Sequence, residues 1–286
     1  SLFIPERFLR PMGGIVYRTI PIETNRGCPY LCAFCNSPIT SDMYRNSIDG
    51  NFFRKKKVEA IQRGLRYLID KWNGNYIYFT SDTFILFTDQ EFEDFIEMYS
   101  EFNLPFWIQT RAETVTEYRI KKLREIGCVR MSMGLEHGNN EFRKHVVNKK
   151  FDDETIIKAT EIITDAGIDL TINNIIGFPE ETRELIFDTI ELNRKLKFDT
   201  TNAYPFAPFH GTSMHKLCIE KGYITNEFNP GSLNVDVPLD MPQLSRDEIS
   251  GLRRTFALYA RMPKKYWPNI ERAEKFDEEG NKIFEE

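Results

Sequence analysis

Six short apolar runs, rich in β-branched and aromatic residues, recur along the first 215 residues, with helix-patterned segments between them. They are Thr19–Thr24, Tyr76–Thr80, Phe106–Thr110, Val129–Gly134, Leu170–Ile176 and Thr201–Phe206. Strands separated by whole helices are not hairpin partners. They pair in parallel through right-handed crossovers. The intervening patterns support this. Val58, Ile61, Leu65, Leu68 and Ile69 share one face of a helix over 54–71. Thr88-Asp89-Gln90-Glu91 is a capping box opening a helix over 88–102, with Phe92, Phe95, Ile96 and Tyr99 as its apolar face. Asp152 is placed to cap 153–166, which Gly167 ends, and 182–197 reads as a further helix.

A repeat of this kind suits a β/α barrel, with an open doubly wound sheet as the competing arrangement. Either one gathers function at the C-terminal ends of the strands. The expected fold is α/β: a partial TIM-type (β/α)6 barrel with parallel strands over 1–215, plus a C-terminal loop and helical extension over 216–286. Within that extension, 225–245 is rich in Asn, Pro, Asp and Gly and reads as a long loop. Ser245-Arg246-Asp247-Glu248 caps a helix bearing Ile249, Leu252, Phe256 and Tyr259, and Asp277–Glu286 reads as a charged, frayed tail.

The chain is long enough, at 286 residues with 41% hydrophobic and 13% aromatic residues, to bury a substantial core. Its longest apolar runs, such as Ile175-Ile176-Gly177-Phe178, are too short to span a bilayer, and Ser1–Gly14 lacks the pattern of a signal peptide. The chain opens on Ser1 rather than Met and reads as an excerpt of a longer protein. A net charge of −5 gives no support for nucleic-acid binding. The local basic run Arg54-Lys55-Lys56-Lys57 is expected to be a solvated helix start.

Three of the five cysteines fall in one stretch directly after the first strand: Arg26-Gly27-Cys28-Pro29-Tyr30-Leu31-Cys32-Ala33-Phe34-Cys35-Asn36. Cys128 and Cys218 are isolated; Cys128 opens an apolar strand pattern and reads as a core residue, and Cys218 follows Leu217 in an expected helix. This is not the dense, even-numbered framework of a secreted disulfide protein, so a reducing cytoplasmic setting is expected. In a [4Fe–4S] cluster each iron takes one protein ligand, usually a thiolate. The trio Cys28, Cys32 and Cys35 therefore holds three corners and leaves one iron open to a ligand that is not protein. Two non-enzymatic readings compete. A structural zinc would need a fourth Cys or His. The four histidines (137, 145, 210 and 215) are distant and lack metal spacing, although His137 ends the fourth strand and can come near the loop. An iron–sulfur electron carrier would want a fourth close cysteine.

The Cys-x3-Cys-x2-Cys loop after strand one, with the aromatic Phe34 just before its last cysteine, resembles the signature of the radical S-adenosylmethionine superfamily. The resemblance implies that S-adenosylmethionine chelates the open iron. It also implies that an electron from the cluster breaks the cofactor's C–S bond, and that a 5′-deoxyadenosyl radical abstracts hydrogen from a small-molecule substrate. A reductant protein such as flavodoxin or ferredoxin is implied as a partner. Further segments carry the resemblance across about 215 residues. Ser81 and Asp82, in Phe79-Thr80-Ser81-Asp82-Thr83-Phe84, correspond to the segment that binds the cofactor's amino group. Glu136, in Gly134-Leu135-Glu136-His137-Gly138, resembles the acidic residue near the ribose and methionine moiety. Arg111 ends the third strand, where a guanidinium can fork onto the cofactor's carboxylate or form a structural ion pair with Glu113 or Glu136. Asn173-Asn174-Ile175-Ile176-Gly177-Phe178-Pro179-Glu180 resembles the family's Gly-x-Ile-x-Gly-x-x-Glu pattern, with Asn173 in place of the first Gly. Ile175 would pack on adenine there, and Gly177 would allow close backbone approach. Tyr204, in Tyr204-Pro205-Phe206-Ala207-Pro208, ends the sixth strand, where its backbone can pair with the adenine edge.

Arg10-Pro11-Met12-Gly13-Gly14, Gly177-Phe178-Pro179-Glu180-Glu181-Thr182 and Pro208-Phe209-His210-Gly211-Thr212 resemble members that carry a cobalamin-binding domain ahead of the barrel. Such a domain would precede Ser1. Cobalamin and methyl transfer are thus implied by resemblance, and by no residue of this chain. A radical enzyme without cobalamin, of methylthiotransferase or oxidative cyclase type, is the alternative. A methylthiotransferase would want a second cysteine trio, which Cys128 and Cys218 do not supply, or an RNA-binding appendage.

Overall fold

The computed structural model describes residues 8–48, 50–231 and 236–286. Part of the expected N-terminal segment (1–7) and part of the expected loop 225–245 (232–235) therefore lie outside the described residues. Two compact units are distinguished, and the chain alternates between them.

The first unit comprises residues 1–29, 41–133 and 158–170. It opens with a feature the sequence reading lacked. β1 (Leu9–Met12) and β2 (Ile15–Ile22) form an antiparallel hairpin turned by Gly13 and Gly14. After that the pairing is parallel: β2 with β5 (Tyr76–Phe79), β5 with β6 (Phe106–Thr110), and β6 with β7 (Cys128–Glu136). The helices that follow these strands are α2 (Val58–Trp72), α3 (Asp89–Ser100) and α4 (Glu117–Glu125), the second opened by the expected Thr88–Glu91 capping box. The core is aromatic. Phe79, Phe84, Phe95, Tyr99 and Phe106 are essentially inaccessible, and the Phe79 ring meets Phe84 at 4.9 Å and Phe106 at 5.5 Å.

One expectation fails in this unit. The basic run is not a solvated helix start. Two of its residues form strand β4 (Arg54–Lys55), which pairs antiparallel with β3 (Asn25–Arg26) ahead of the cysteines, and α2 begins only at Val58. The backbone of residues 24–26 needs hydrogen-bond partners at the end of β2. Residues 54–56 supply them, Lys56 N–H donating to Thr24 C=O at 2.8 Å. The side chains are engaged as well: Lys55 pairs with Glu91 and donates to the Leu86 carbonyl at 3.3 Å.

The second unit comprises residues 30–40, 134–157 and 171–286. β8 (Asp169–Ile176) pairs in parallel with β9 (Thr200–Pro205), with Ile175 opposite Tyr204. The remaining helices are α1 (Ser37–Ser47), α5 (Asn140–His145), α6 (Asp153–Asp165), α7 (Arg183–Asn193), α8 (Ser213–Glu220), α9 (Arg246–Arg261), α10 (Trp267–Ala273) and α11 (Glu278–Glu285), α1 and α6 being shared with the first unit. Ile176, Phe178, Ile186, Phe206, Leu252 and Phe256 belong to one core, so residues beyond 216 pack against β8, β9 and α7. A bidentate ion pair reinforces this. Arg183 holds both oxygens of the buried Glu274 at 2.9 and 2.7 Å, and the Tyr259 hydroxyl donates to the same carboxylate at 2.6 Å. Burial first and Glu274 second push the Tyr259 phenol above its ordinary range.

The tail is not frayed. Asp277 caps α11 by accepting the Gly280 N–H at 2.8 Å. Arg272 bridges Asp277 and Glu279, so the charges that suggested solvation instead pair with one another. The Arg272 hydrogen bond holds the Asp277 carboxyl below the usual range. Among the described residues, no helix is long and apolar enough to cross a membrane.

Candidate active site

The cysteine loop leaves β2 through a braced turn. Gly27 adopts φ +79°, and a Cβ there would lie 2.7 Å from the Phe52 ring, so only glycine fits. Ser81 is buried and forms the brace. Its hydroxyl lies 2.7 Å from Thr24 Oγ1 and accepts the N–H groups of Thr24 (3.1 Å) and Asn25 (3.3 Å). Cys28 is half-buried, with the Thr83 hydroxyl 3.8 Å from its sulfur.

Also in the first unit, Asp82 is an exposed residue whose carboxyl the surrounding protein partly desolvates. That desolvation, with the like charge of Glu23 second, raises its pKa. Arg111 is buried and donates to Glu113, one of the two carboxylates expected, at 2.6 Å.

The second unit holds Cys32, Phe34 and Cys35. Cys32 is buried and Cys35 half-buried. Cys35 N–H donates to Cys32 C=O at 3.1 Å, and Ser37 N–H points at the Cys35 sulfur at 3.4 Å. The loop backbone is pinned on its other side: Ala33 N–H donates to Val147 C=O at 3.0 Å, and Asn148 Nδ2 donates to Leu31 C=O at 2.6 Å. None of the five cysteines is in a disulfide. Cys128 is fully buried as expected, Cys218 is fully buried in α8, and burial raises both thiols, Cys218 to about 12.

The donor set of the trio suits a cluster. One sulfur is within reach of a backbone N–H and another of a hydroxyl, the outer-shell contacts that stabilise ligating thiolates. Among the described residues, no three His, Cys, Asp or Glu side chains meet at a single point as a mononuclear metal site requires. A cubane makes a different demand, one thiolate on each of three irons.

Glu136 ends β7 at φ +67°, an uncommon conformation for a residue with a side chain. Lys149 holds it there, its buried ammonium donating to Glu136 Oε1 at 3.0 Å and to Gly134 C=O at 2.6 Å. Lys149 escaped the sequence reading because its partner lies 13 residues upstream, a spacing no local pattern marks. Ile175 is half-buried, Tyr204 opposite it is 38% exposed, and the buried Gly177 turns at φ +80°.

The pattern Gly-x-Ile-x-Gly-x-x-Glu led to Glu180, but the inward carboxylate is its neighbour. Glu180 is exposed and bound to Tyr223 and Lys221. Glu181 is fully buried and accepts the N–H groups of Gly177 (2.5 Å) and Phe178 (2.9 Å). His137, entertained above as a zinc ligand, is also fully buried, with Nε2 3.0 Å from Glu181 Oε1.

Comparison with known proteins decides the family. The model of the Radical SAM superfamily matches residues 22–192, more than half of the chain. The chain belongs to the radical SAM superfamily. It is therefore a member of an enzyme family that uses a [4Fe–4S] cluster and S-adenosylmethionine. It is 25% identical over 266 residues to the uncharacterized methyltransferase PH0819 of Pyrococcus horikoshii, covering 91% of this chain and 56% of that one. It is 23% identical over 209 residues to the ribosomal protein uS12 methylthiotransferase RimO of Clostridioides difficile, covering 68% of this chain and 44% of that one. The chain thus spans about half the length of these curated relatives. Among solved structures, the radical S-adenosylmethionine methyltransferase TsrM of Kitasatospora setae, with cobalamin and a [4Fe–4S] cluster bound, superposes with a TM-score of 0.58 at 16% identity. That match covers 72% of this chain and 37% of TsrM. The likeness settles the fold class as α/β, a partial TIM-type barrel with parallel strands rather than an open doubly wound sheet.

Proposed function

We propose that Cys28, Cys32 and Cys35 hold a [4Fe–4S] cluster whose open iron takes S-adenosylmethionine, and that the protein uses this pair to start radical chemistry on a small molecule. The observation that carries the reading is the Cys-x3-Cys-x2-Cys loop at the end of β2, inside the matched span 22–192. Cys28, Cys32 and Cys35 would hold the cluster, which when bound would supply the electron for reductive cleavage of the cofactor's C–S bond and so for hydrogen abstraction from a substrate.

The chain's own residues bind and orient. Glu136, held by Lys149, offers its carboxylate to hydroxyl or ammonium groups, and Lys149 places a cation beside it for a carboxylate. Asp82 is the candidate for the cofactor's ammonium, a cation that would offset the desolvation and the Glu23 charge that raise its pKa. Arg111, oriented by Glu113, is a second candidate for the carboxylate. Ile175 and Tyr204, opposite one another on β8 and β9, offer apolar surface for adenine, and Gly177 turns the backbone beside them at φ +80°. Ser81 acts through the turn it braces.

Methyl transfer with cobalamin is the specific reaction we favour, the cobalamin being bound outside this chain. The methyltransferase name of PH0819, over nearly the whole of this chain, supports it. The RimO similarity supports methylthio transfer as a second reading. We place the reaction in the cytoplasm, with a flavodoxin- or ferredoxin-type reductant. We also assign the catalytic role to 1–215 and a supporting role to 216–286.

The test is anaerobic reconstitution with iron and sulfide, followed by dithionite and S-adenosylmethionine. Formation of 5′-deoxyadenosine is expected, and Cys32→Ala abolishes both cluster and product. Zinc as the isolated metal, with no 5′-deoxyadenosine formed, defeats the proposal. Adding methylcobalamin and following label from the methyl group separates the two readings.

A further inference from the structure

We propose that the buried pair Glu181–His137 is a positioning device that sets the affinity for S-adenosylmethionine; this rests on the function proposed above.

The Glu181 carboxylate is sealed from solvent and plugs the pair of successive N–H groups at Gly177 and Phe178. Such a nest at the C-terminal end of a parallel strand is a ready anion site. Here an internal carboxylate occupies it, so the turn is closed to an incoming anion and locked in one conformation.

The other oxygen, Oε1, faces His137 Nε2 at 3.0 Å. His137 Nδ1 accepts the Asn139 N–H at 3.0 Å, which puts the imidazole proton on Nε2. That N–H is not aimed along the line to the carboxylate, so donor and acceptor face each other without a formed hydrogen bond. The pair therefore brings two segments within 3.0 Å of each other. His137 directly follows Glu136, and Glu181 clamps the turn that contains Gly177.

The same pair reaches the cysteine loop. The Phe178 ring, whose N–H Glu181 holds, lies 6.2 Å from Phe34, the residue before Cys35. Phe178 also meets Phe206 at 5.3 Å and Phe142 at 5.9 Å, and His137 stacks on Phe142 at 4.2 Å. One buried carboxylate thus sets the turn beside the adenine candidates, the residue after Glu136, and the ring beneath Phe34.

The test compares Glu181→Gln, His137→Phe and the neighbouring Glu180→Gln in the full chain. Each variant is reconstituted anaerobically and read by thermal melting, iron content, the EPR spectrum of the reduced cluster before and after S-adenosylmethionine, and the cofactor's Kd. In Glu181→Gln only one oxygen remains, so the nest and His137 Nε2 cannot both face an acceptor. We expect wild-type iron content, a Kd raised at least tenfold, and no cofactor-induced EPR change at concentrations that saturate the wild type. His137→Phe, which keeps the stack on Phe142 and removes only the N–H, is expected to raise Kd several-fold, and it decides the matter if Glu181→Gln does not fold. Glu180→Gln is expected to bind within twofold of wild type. A folded, loaded Glu181→Gln or His137→Phe that binds within twofold of wild type overturns the proposal, as does a larger effect from Glu180→Gln. Failure of the wild-type protein to load iron or bind the cofactor would instead defeat the function on which this rests.

Discussion

The two units are held by different physics. In the first, the strands close over stacked aromatic rings, with Phe79, Phe95, Tyr99 and Phe106 all at zero exposure. In the second, buried polar and ionisable side chains are woven through the core: Arg143, His137 and Glu181 are fully buried, and Lys149 and Glu274 nearly so. Arg143 shows how such burial is tolerated. It donates to the carbonyls of His137 (2.9 Å), Gly138 (3.2 Å) and Phe151 (3.3 Å), to Asn140 (3.2 Å) and to Asp153 (2.6 Å). A guanidinium with its donors met by fixed acceptors organises a loop that no apolar residue could. The difference teaches that apolar packing sets the strands of the first unit, whereas directional polar contacts shape the loops bearing Glu136 and Gly177.

The largest expected effect tests the apolar side. Phe79→Ala should cost about 3–5 kcal/mol in urea unfolding, because it leaves a cavity among rings that cannot collapse. A cost below about 1 kcal/mol would break the contrast. Arg143→Met should cost about 3 kcal/mol, since it leaves several buried carbonyls without their donor. Its mark should be early hydrogen exchange confined to residues 137–153. Uniform exchange across the chain would show that the polar knot is not local.

Ser245→Ala removes the N-cap of α9 and should cost about 1 kcal/mol, measured by thermal melting. Acid sharpens this. Hydrogen bonds from Ser245 depress the Glu248 carboxyl, so its contribution is present above the unfolded-state pKa and is lost as pH falls through the lower folded value. Ser245→Ala should therefore matter less at low pH than at neutral pH.

The smallest effect runs the other way. Asp82 has a raised folded pKa, so its ionisation opposes folding above that value and the opposition fades as pH falls through it. Asp82→Asn should stabilise by no more than ~0.5 kcal/mol at neutral pH, because solvent screens the site, and the gain should vanish in acid. Stabilisation that persists in acid would show that the carboxyl's charge is not the cause.

Much of this was legible without coordinates. β6 matches its expected bounds, and the other parallel strands agree within a few residues, because strand pairing and helix capping leave local periodicities. The hairpin β1–β2 was missed at its first strand, since Leu9-Arg10-Pro11-Met12 has an exposed, non-alternating pattern. The basic run 54–57 was misassigned because its pairing with residues 24–26 is non-local.

Sequence by itself determined the cysteine trio, the order of strands and helices, and the strand-end segments that resemble the family, for these depend on spacing along the chain. Only the tertiary structure decided that Glu113 orients Arg111, that Lys149 holds Glu136, and that Glu181 rather than Glu180 faces inward. Between adjacent glutamates, composition and spacing are the same. The choice rests on backbone direction: Glu180 sits at φ +65° in the exposed turn, and the next residue is carried under the N–H groups of Gly177 and Phe178.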